Sequence, residues 1–481
     1  MNNLNLGDMP VSEFKVFADK LVSIIATYLD NISDYSVLPN VKPGECIKMF
    51  SETPPKFPVD FNKLLDSVDD KILKNATHWN HPGFMAYFNS TSSAPGILAE
   101  FLSAALNTNG MVWKSSPINT ELEIVVIDWM RQMLGLPESF WGIIYDTASV
   151  STFHGLAAAR EKVFQKYNNH DLNINTFTVY CSEHAHSSVE KACLALGVRK
   201  VRKISTNKRF EMDLEKLDET IKKDVAAGLI PMAVVPAIGT TSVTSIDDVK
   251  GVYEIVKDYD IWIHTDAAHA GIAAITDEYK FLFKYIDYVD SVVINPHKWM
   301  FTPVDLSLLY IKDKKILKDA FSIIPEYLRT NVDDQVTNFM DYGIQLGRRF
   351  RALKLWFIIS YFGVEGIKNR IKEHFRLAKM FEDLINKDEN FEIIAPVTLS
   401  TICIAAKSKN ETDLEKLNKF NALLMEEVNN TGKVFLSHTV INGKFIIRVV
   451  ISGLRTTEET VFECYSLLSN NYKKIFNGVI N

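Results

Sequence analysis

No stretch of about 18 consecutive apolar residues occurs in the 481-residue chain, so a membrane-spanning helix is not expected. Cysteine is scarce too. Cys46, Cys181, Cys193, Cys403 and Cys464 are scattered, odd in number and form no CxxC pair. That spacing argues against a structural metal and fits a reducing compartment. There is no basic excess either: a net charge of -6, with both signs interspersed, offers no face for nucleic acid. The opening MNNLNLGDMPVSEF lacks the basic start and apolar run of a signal peptide, so a soluble cytoplasmic protein is expected. Internal repeats and low-complexity tracts are missing. What the chain does have is apolar side chains, 47% of the total, which argues for a large core and against disorder.

Residues 12 to 32 place Phe14, Phe17, Leu21, Ile24, Ile25, Tyr28 and Leu29 on one helical face. That face packs either on the chain's own core or on a second subunit. Proline-rich connections, SVLPNVKPGE and ETPPKFPVD, set this segment apart. From about 140 to 312, the short apolar runs GIIYDT, TFTVYCS, RKVRKI, MAVVPAIG, IWIHTDAA, SVVINP and LSLLYIK alternate with helical patterns. This alternation predicts an α/β domain around a mostly parallel sheet. After about 365, FEIIAPVTLSTICIAA reads as strands, KVFLSHTVINGKFIIRVVIS as a hairpin turning at Asn-Gly, and roughly 456 to 475 as a final helix. The expected division is a helical arm over 1–85, a large α/β domain over 86–365 and a small α+β domain over 366–481.

Ligands of such sheets bind beyond the carboxyl ends of the strands, and four sites fall there or in adjoining loops. In DTASVSTFHGLAAAR (146 to 160), Thr147, Ser149, Ser151 and Thr152 lie between a strand and a helix, where hydroxyls and free N–H groups make an anion site or simply an N-cap. In IWIHTDAAHAG, Asp266 ends a buried strand and needs a cationic or hydrogen-bonding partner, unless it too is an N-cap. The small Ala267, Ala268, Ala270 and Gly271 after it would admit a flat ligand. His184 and His186 in EHAHSSVEKA precede a helix and suit ring stacking or acid–base work; no zinc spacing accompanies them, so no metal is expected. In SVVINPHKWM, Lys298 follows a buried strand. Burial lowers an amine's pKa toward its nucleophilic form, which condenses with an aldehyde. Pyridoxal 5′-phosphate (PLP) is an aldehyde with a phosphate, a flat ring and a ring nitrogen that calls for a carboxylate. The four sites match its four handles.

NPHKW, HWNHPGFMAYFNS (78 to 90), SPINTELEIVVIDWM (116 to 130), AHSSVEKA (185 to 192), IGTTSVTSIDD (238 to 248), DAAHAG (266 to 271) and LGRRFRALKLWF (346 to 357) together resemble the group II PLP-dependent decarboxylases of fold type I. The resemblance is closest to the aromatic-L-amino-acid decarboxylases and runs from about 70 to 370. It implies Lys298 as the Schiff-base lysine, Asp266 as the pyridinium partner, and His186 as a catalytic residue stacked on the ring. It implies Thr147, Ala148, Ser149, Asn295 and His297 around the phosphate, with Thr241 and Ala268 also at the cofactor. Trp79, Pro82, Tyr87, Phe88 and Ser90 look like the substrate-pocket wall. The pocket is expected at a homodimer interface, to which the partner contributes Met111 and Trp113. IPEYLRT (324 to 330) is similar to a mobile catalytic loop whose tyrosine, here Tyr327, protonates Cα.

The implied reaction turns an aromatic L-amino acid into its amine and CO2 through an external aldimine and a quinonoid. An aldehyde synthase of the same family is the nearest alternative, and those relatives replace the loop tyrosine or the stacking histidine; Tyr327 and His186 favour simple decarboxylation. A decarboxylase for another amino acid such as histidine is a third reading, and a PLP-binding protein without catalysis a fourth. Three departures stand out: DTASVST replaces a glycine- and glutamate-containing version, His269 stands where many relatives have tyrosine, and Asn109 where an apolar residue is common. The last two bear on substrate identity. Arg448 in FIIRVVIS binds a carboxylate or, more in keeping with its setting, forms a structural ion pair.

Overall fold

Each apolar run between 140 and 312 forms a strand in the computed structural model, which describes residues 7–323, 335–407 and 412–479. The strands are β1 (Trp141–Tyr145), β2 (Phe177–Ser182), β3 (Lys200–Ile204), β4 (Ile230–Val235), β5 (Trp262–Asp266), β6 (Ser291–Ile294) and β7 (Ser307–Ile311). Their order is β1-β7-β6-β5-β4-β2-β3. Only β7 runs against its neighbours β1 and β6, so the sheet is mostly parallel. β2 and β7 are buried along their whole length, as befits a sheet covered on both faces. Alternate residues serve opposite cores. Leu308 and Tyr310 of β7 join one core with helices Pro117–Leu134 and Ala352–Lys387, while Leu309 and Ile311 join the other with helix Ala148–Tyr167.

Several helices start at an aspartate cap. Asp213 accepts the Glu215 and Lys216 amides, and Asp248 accepts the Gly251 amide. Helix Ala148–Tyr167 differs: its N-cap Thr147 makes no capping bond, and the Thr147 hydroxyl turns to Asp146 Oδ1 at 3.1 Å. The loops after β4, β5 and β6 lie side by side, laced by backbone hydrogen bonds. The Ile238 amide donates to Asp266 O (2.8 Å), Ala267 to Val293 O (3.1 Å) and Asn295 to Ala268 O (2.9 Å).

The second sheet is antiparallel: β8 (Phe391–Ile393), β9 (Thr401–Ala406), β10 (Ser437–Ile441) and β11 (Lys444–Val450), ordered β10-β11-β9-β8. The expected Asn-Gly turn joins β10 to β11, with Asn442 at φ 50° and Gly443 at φ 77°. Helix Ala352–Lys387 spans both units and is interrupted at Gly363 (φ 63°, ψ 166°). The small sheet and its loops meet the turn after β4: Arg448 Nε donates to Ser242 O at 2.9 Å, and the Thr398 hydroxyl donates to Thr244 O at 2.8 Å.

Helix Val11–Asp30 takes the amphipathic form read from residues 12 to 32, yet it buries none of its residues within the chain. Phe17 meets Phe61 at 4.8 Å between centroids, while Phe14 stays 50% exposed. Phe14, Phe17, Leu21 and Ile25 line an apolar groove with Ile97 and Phe101. Within the chain this face is at most half-buried: Tyr28 packs on Tyr35 and His78, while Phe14 and Leu21 stay exposed. Among the described residues no helix is long and apolar enough to cross a membrane.

Candidate active site

A cavity of about 170 Å³ opens at the carboxyl ends of the strands. Lys298 enters it from helix Pro296–Trp299, which begins directly after β6 with proline at its first position, where the missing N–H costs nothing. The Lys298 side chain is half-buried, and burial pushes its amine pKa down while Asp266 opposes the shift. Asp266, the last residue of β5, accepts the Ala268 amide at 3.0 Å and caps no helix. His186 reaches the same cavity; its Nδ1 accepts the Ser188 amide at 3.1 Å. Burial holds its pKa below the usual value, against the pull of Asp266 and with the push of Lys298.

His297 Nδ1 accepts the Leu306 amide at 2.9 Å. Burial, reinforced by Lys298, lowers its pKa to about 4, so the ring is neutral and Nε2 carries the proton. Asn295 Nδ2 lies 3.3 Å from that Nε2, two donors face to face, so the carboxamide turns over. Its oxygen must face the proton, which frees its NH2 to donate elsewhere. Thr147, Ala148 and Ser149 bring the uncapped N-terminus of helix Ala148–Tyr167 to the cavity, a place where N–H groups and the helix dipole favour an anion. The turn after β4 adds Ala237, Gly239, Thr240 and Thr241. Gly239 (φ 86°) has no substitute there, since a Cβ would lie 2.5 Å from the Ala270 Cβ.

The cavity thus gathers all the described residues expected at a cofactor: Lys298, Asp266, His186, Thr147, Ala148, Ser149, Thr241, Ala268, Asn295 and His297. Ala237, Gly239 and Thr240 were not expected; the glycine that follows the strand in IGTTSVTSIDD was their signal. Ser151 and Thr152 turn away from it. Ser151 Oγ meets Ser307 Oγ at 2.8 Å and Thr152 Oγ1 meets His264 Nε2 at 3.4 Å, both beneath the helix. His184 lies edge-on to Phe210 instead.

The expected substrate wall is brought together only in part. Phe88 lines the cavity, stacked on His269. Pro82 borders a different cavity, with Tyr35, Thr431 and Glu463. Trp79 stacks on Phe84 and is half-exposed, and Tyr87, at φ 55°, is 52% exposed. Tyr87 therefore lies outside the cavity that Phe88 lines. Ser90 is half-buried and does not border the cavity of its own chain. Neither do Met111, which packs with Val112 and Met340, and Trp113, whose indole donates to Glu121. Asn109 accepts the Arg348 amide at 2.9 Å. Tyr327 lies outside the described residues. Arg448 forms no ion pair among the described residues, contrary to the favoured expectation; Nε donates to Ser242 O and Nη1 to Ser437 Oγ.

An amine of lowered pKa, a carboxylate across from it, a helix end suited to phosphate and the small Ala268 fit PLP, and together with the doubly covered sheet they define a PLP enzyme. The pyridoxal-dependent decarboxylase conserved domain matches residues 43–407. Tryptophan decarboxylase 2 of Oryza sativa subsp. japonica is 36% identical over 99% of this chain and 97% of its own length. A phenylacetaldehyde synthase of Arabidopsis thaliana is 37% identical over 96% of each chain. The crystal structure of Oryza sativa TDC with PLP and tryptamine superimposes with a TM-score of 0.95 at 31% identity, covering 98% of this chain and 100% of the other. The chain belongs to the pyridoxal-dependent decarboxylase family: it is a PLP-dependent amino acid decarboxylase.

Proposed function

We propose that the substrate is an aromatic L-amino acid and that the products are its amine and CO2. The observation that carries this reading is the Phe88 ring lining the same cavity as Lys298 and Asp266, with Lys298 Nζ 5.3 Å from the ring centroid. Relatives named for tryptophan and tyrosine decarboxylation support it. PLP, when bound, supplies the electron sink for the pair left at Cα as CO2 departs. Lys298 would hold the cofactor's aldehyde carbon, favoured by the lowering of its amine pKa. Asp266 would pair with the ring nitrogen and keep it protonated. His186 would cover one ring face. Thr147, Ala148, Ser149, Asn295 and His297 would hold the phosphate, Asn295 through the NH2 that neutral His297 leaves free. Thr241 and Ala268 would complete the cofactor's surroundings.

Arg448 would hold the substrate carboxylate, since its buried guanidinium has no acidic partner among the described residues. Tyr327 would return a proton to Cα, a role that rests on the likeness of IPEYLRT. The active unit would be a homodimer with the site at the interface, completed by Met111 and Trp113 of the partner subunit. The exposed apolar face of helix Val11–Asp30 supports this reading. Trp79, Pro82, Tyr87 and Ser90 would bound the approach to the site rather than its inner wall.

The second reading, an aldehyde synthase, is favoured by the Arabidopsis relative. One experiment separates the readings. Purified holoenzyme is incubated in air with tryptophan, tyrosine, phenylalanine, histidine and glutamate, and amine, aldehyde, peroxide and CO2 are measured together. Amine and CO2 in equal amounts from an aromatic substrate is the expected result. Aldehyde with peroxide points to the second reading, and turnover of histidine or glutamate alone overturns the aromatic assignment.

A further inference from the structure

Trp299, the residue after Lys298, is wholly buried, and its indole Nε1 donates to His374 Nδ1 at 2.9 Å. An indole N–H can only donate, so Nδ1 is the acceptor and the His374 proton sits on Nε2. That N–H donates to Gly453 O at 3.0 Å. His374 lies on helix Ala352–Lys387 and is 3% exposed, so both bonds are made in the interior. They join the Lys298 turn to the loop after β11.

The same loop holds the segment that carries Phe88. Gly453 O also accepts the Thr456 amide at 3.1 Å, and the Thr456 hydroxyl donates to Pro82 O at 3.0 Å. The Leu454 amide donates to Thr91 Oγ1 at 3.2 Å, and Arg455 Nη1 donates to Ser92 O at 3.3 Å. Phe88 is thus bracketed in sequence, with Pro82 before it and Thr91 and Ser92 after it all tied to the 453–456 loop. Gly453 lies close against this segment, since a Cβ there would be 3.0 Å from Asn89 Nδ2. Phe88 in turn stacks on His269 with centroids 4.0 Å apart, and His269 stacks on Trp299 at 4.6 Å. The contacts close a circuit: Trp299, His374, the 453–456 loop, the Phe88 segment, His269 and back to Trp299.

We infer that His374 is a positioning residue for the aromatic substrate: it closes this circuit and so sets the distance between the Phe88 wall and the Lys298 turn. The inference rests on the reading of Phe88 as the wall that an aromatic side chain meets. A leucine at 374 would fill the space but leave the Trp299 N–H buried and unpaired. Glutamine carries an acceptor and a donor on one planar group and can make both bonds.

Steady-state kinetics on purified holoenzyme test this, with whichever of tryptophan, tyrosine and phenylalanine wild type decarboxylates fastest. His374→Leu should raise KM about fivefold, the scale of one lost hydrogen bond, with bound PLP unchanged. His374→Gln should recover most of that loss. The deciding measurement is a double-mutant cycle with Phe88→Ala. Once the wall is gone its position no longer matters, so adding His374→Leu to Phe88→Ala should change KM by less than about twofold. A wild-type KM in His374→Leu overturns the inference. So does a double variant whose KM is the product of the two single effects, because His374 then acts by a route other than Phe88. If wild type decarboxylates none of the three amino acids, it is the reading of Phe88 that fails instead. If His374→Leu does not fold, Thr456→Val, which cuts the same circuit at Pro82, decides. A KM raised by Thr456→Val alone but not when it is added to Phe88→Ala supports the inference, and any other pattern overturns it.

Discussion

Lys298, Asp266 and Asn295 stand at or just past strand ends whose loops are laced by three short backbone hydrogen bonds, while the facing wall comes from an irregular segment with a left-handed residue at Tyr87. On the first side every side chain leaves a backbone that neighbouring strands hold in place. On the second, Phe88 is half-buried and Tyr87 exposed, and the segment is anchored through residues such as Met85, whose amide donates to Phe435 O. A fixed side suits bond-making chemistry, which loses rate with small displacements. A wall with Tyr87 open to solvent suits a substrate that must enter and a product that must leave.

Damage to the fixed side should cost most. Lys298→Ala should lower turnover by at least about 10⁴-fold with the fold intact, and the bound-cofactor absorbance band of the wild type should be missing. Retention of both band and activity would remove Lys298 from its role. Asp266→Asn should weaken PLP retention and lower kcat by about 10³-fold, because a buried charge loses its partner; near wild-type turnover with PLP bound would discard the electron-sink argument.

Tyr327→Phe should lower amine formation by about 10²-fold, the scale of a lost general acid, while CO2 release continues. Aldehyde, ammonia and hydrogen peroxide should take the amine's place, as O2 oxidises a Cα that has lost its proton donor. Amine at the wild-type rate would leave Tyr327 a packing residue. On the irregular side, Phe88→Ala should raise KM about tenfold and leave cofactor content unchanged. If cofactor is lost instead, the division between the two sides fails.

The smallest effect is on stability. His264, His297 and His374 are each held near pKa 4 by burial, below the usual 6.5. Their folded values lie below their unfolded ones, so the unfolded chain binds more protons and acid favours unfolding. Tm should be steady with respect to these groups above about pH 6.5 and fall by several degrees toward pH 4. A flat profile in calorimetry would show that these rings are not neutral in the fold.

The fixed side was also the readable one. Buried strands leave apolar runs, so strand ends and the match to PLP's four handles suggested the grouping of NPHKW, Asp266 and His186, and the family resemblance assigned their roles. Ala237 and Gly239 contribute backbone and shape, which composition does not reveal. Ser151 and Thr152 were grouped with Ser149 by sequence proximity, but they lie one turn into the helix and point to the sheet. Pro82 and Tyr87 sit in a segment with neither helical nor strand periodicity, where a single positive φ redirects everything after it. Arg448 was expected in an ion pair, and its bond to Ser242 in place of an acidic group among the described residues depends on a contact between distant segments.

Helix Ala148–Tyr167 starts without a side-chain cap, whereas Asp213, Asp248, Asp313 and Asp413 each cap a helix of this chain. A phosphate seated at Ala148 and Ser149 would close that helix as an aspartate closes the others. The cofactor would then count as part of the architecture as well as the reagent. At a hundredfold excess over its Kd it would add about 2.7 kcal/mol to folding. Chains made when the cofactor is short would unfold sooner and meet proteases more often, so enzyme abundance would follow vitamin status without any change in gene expression.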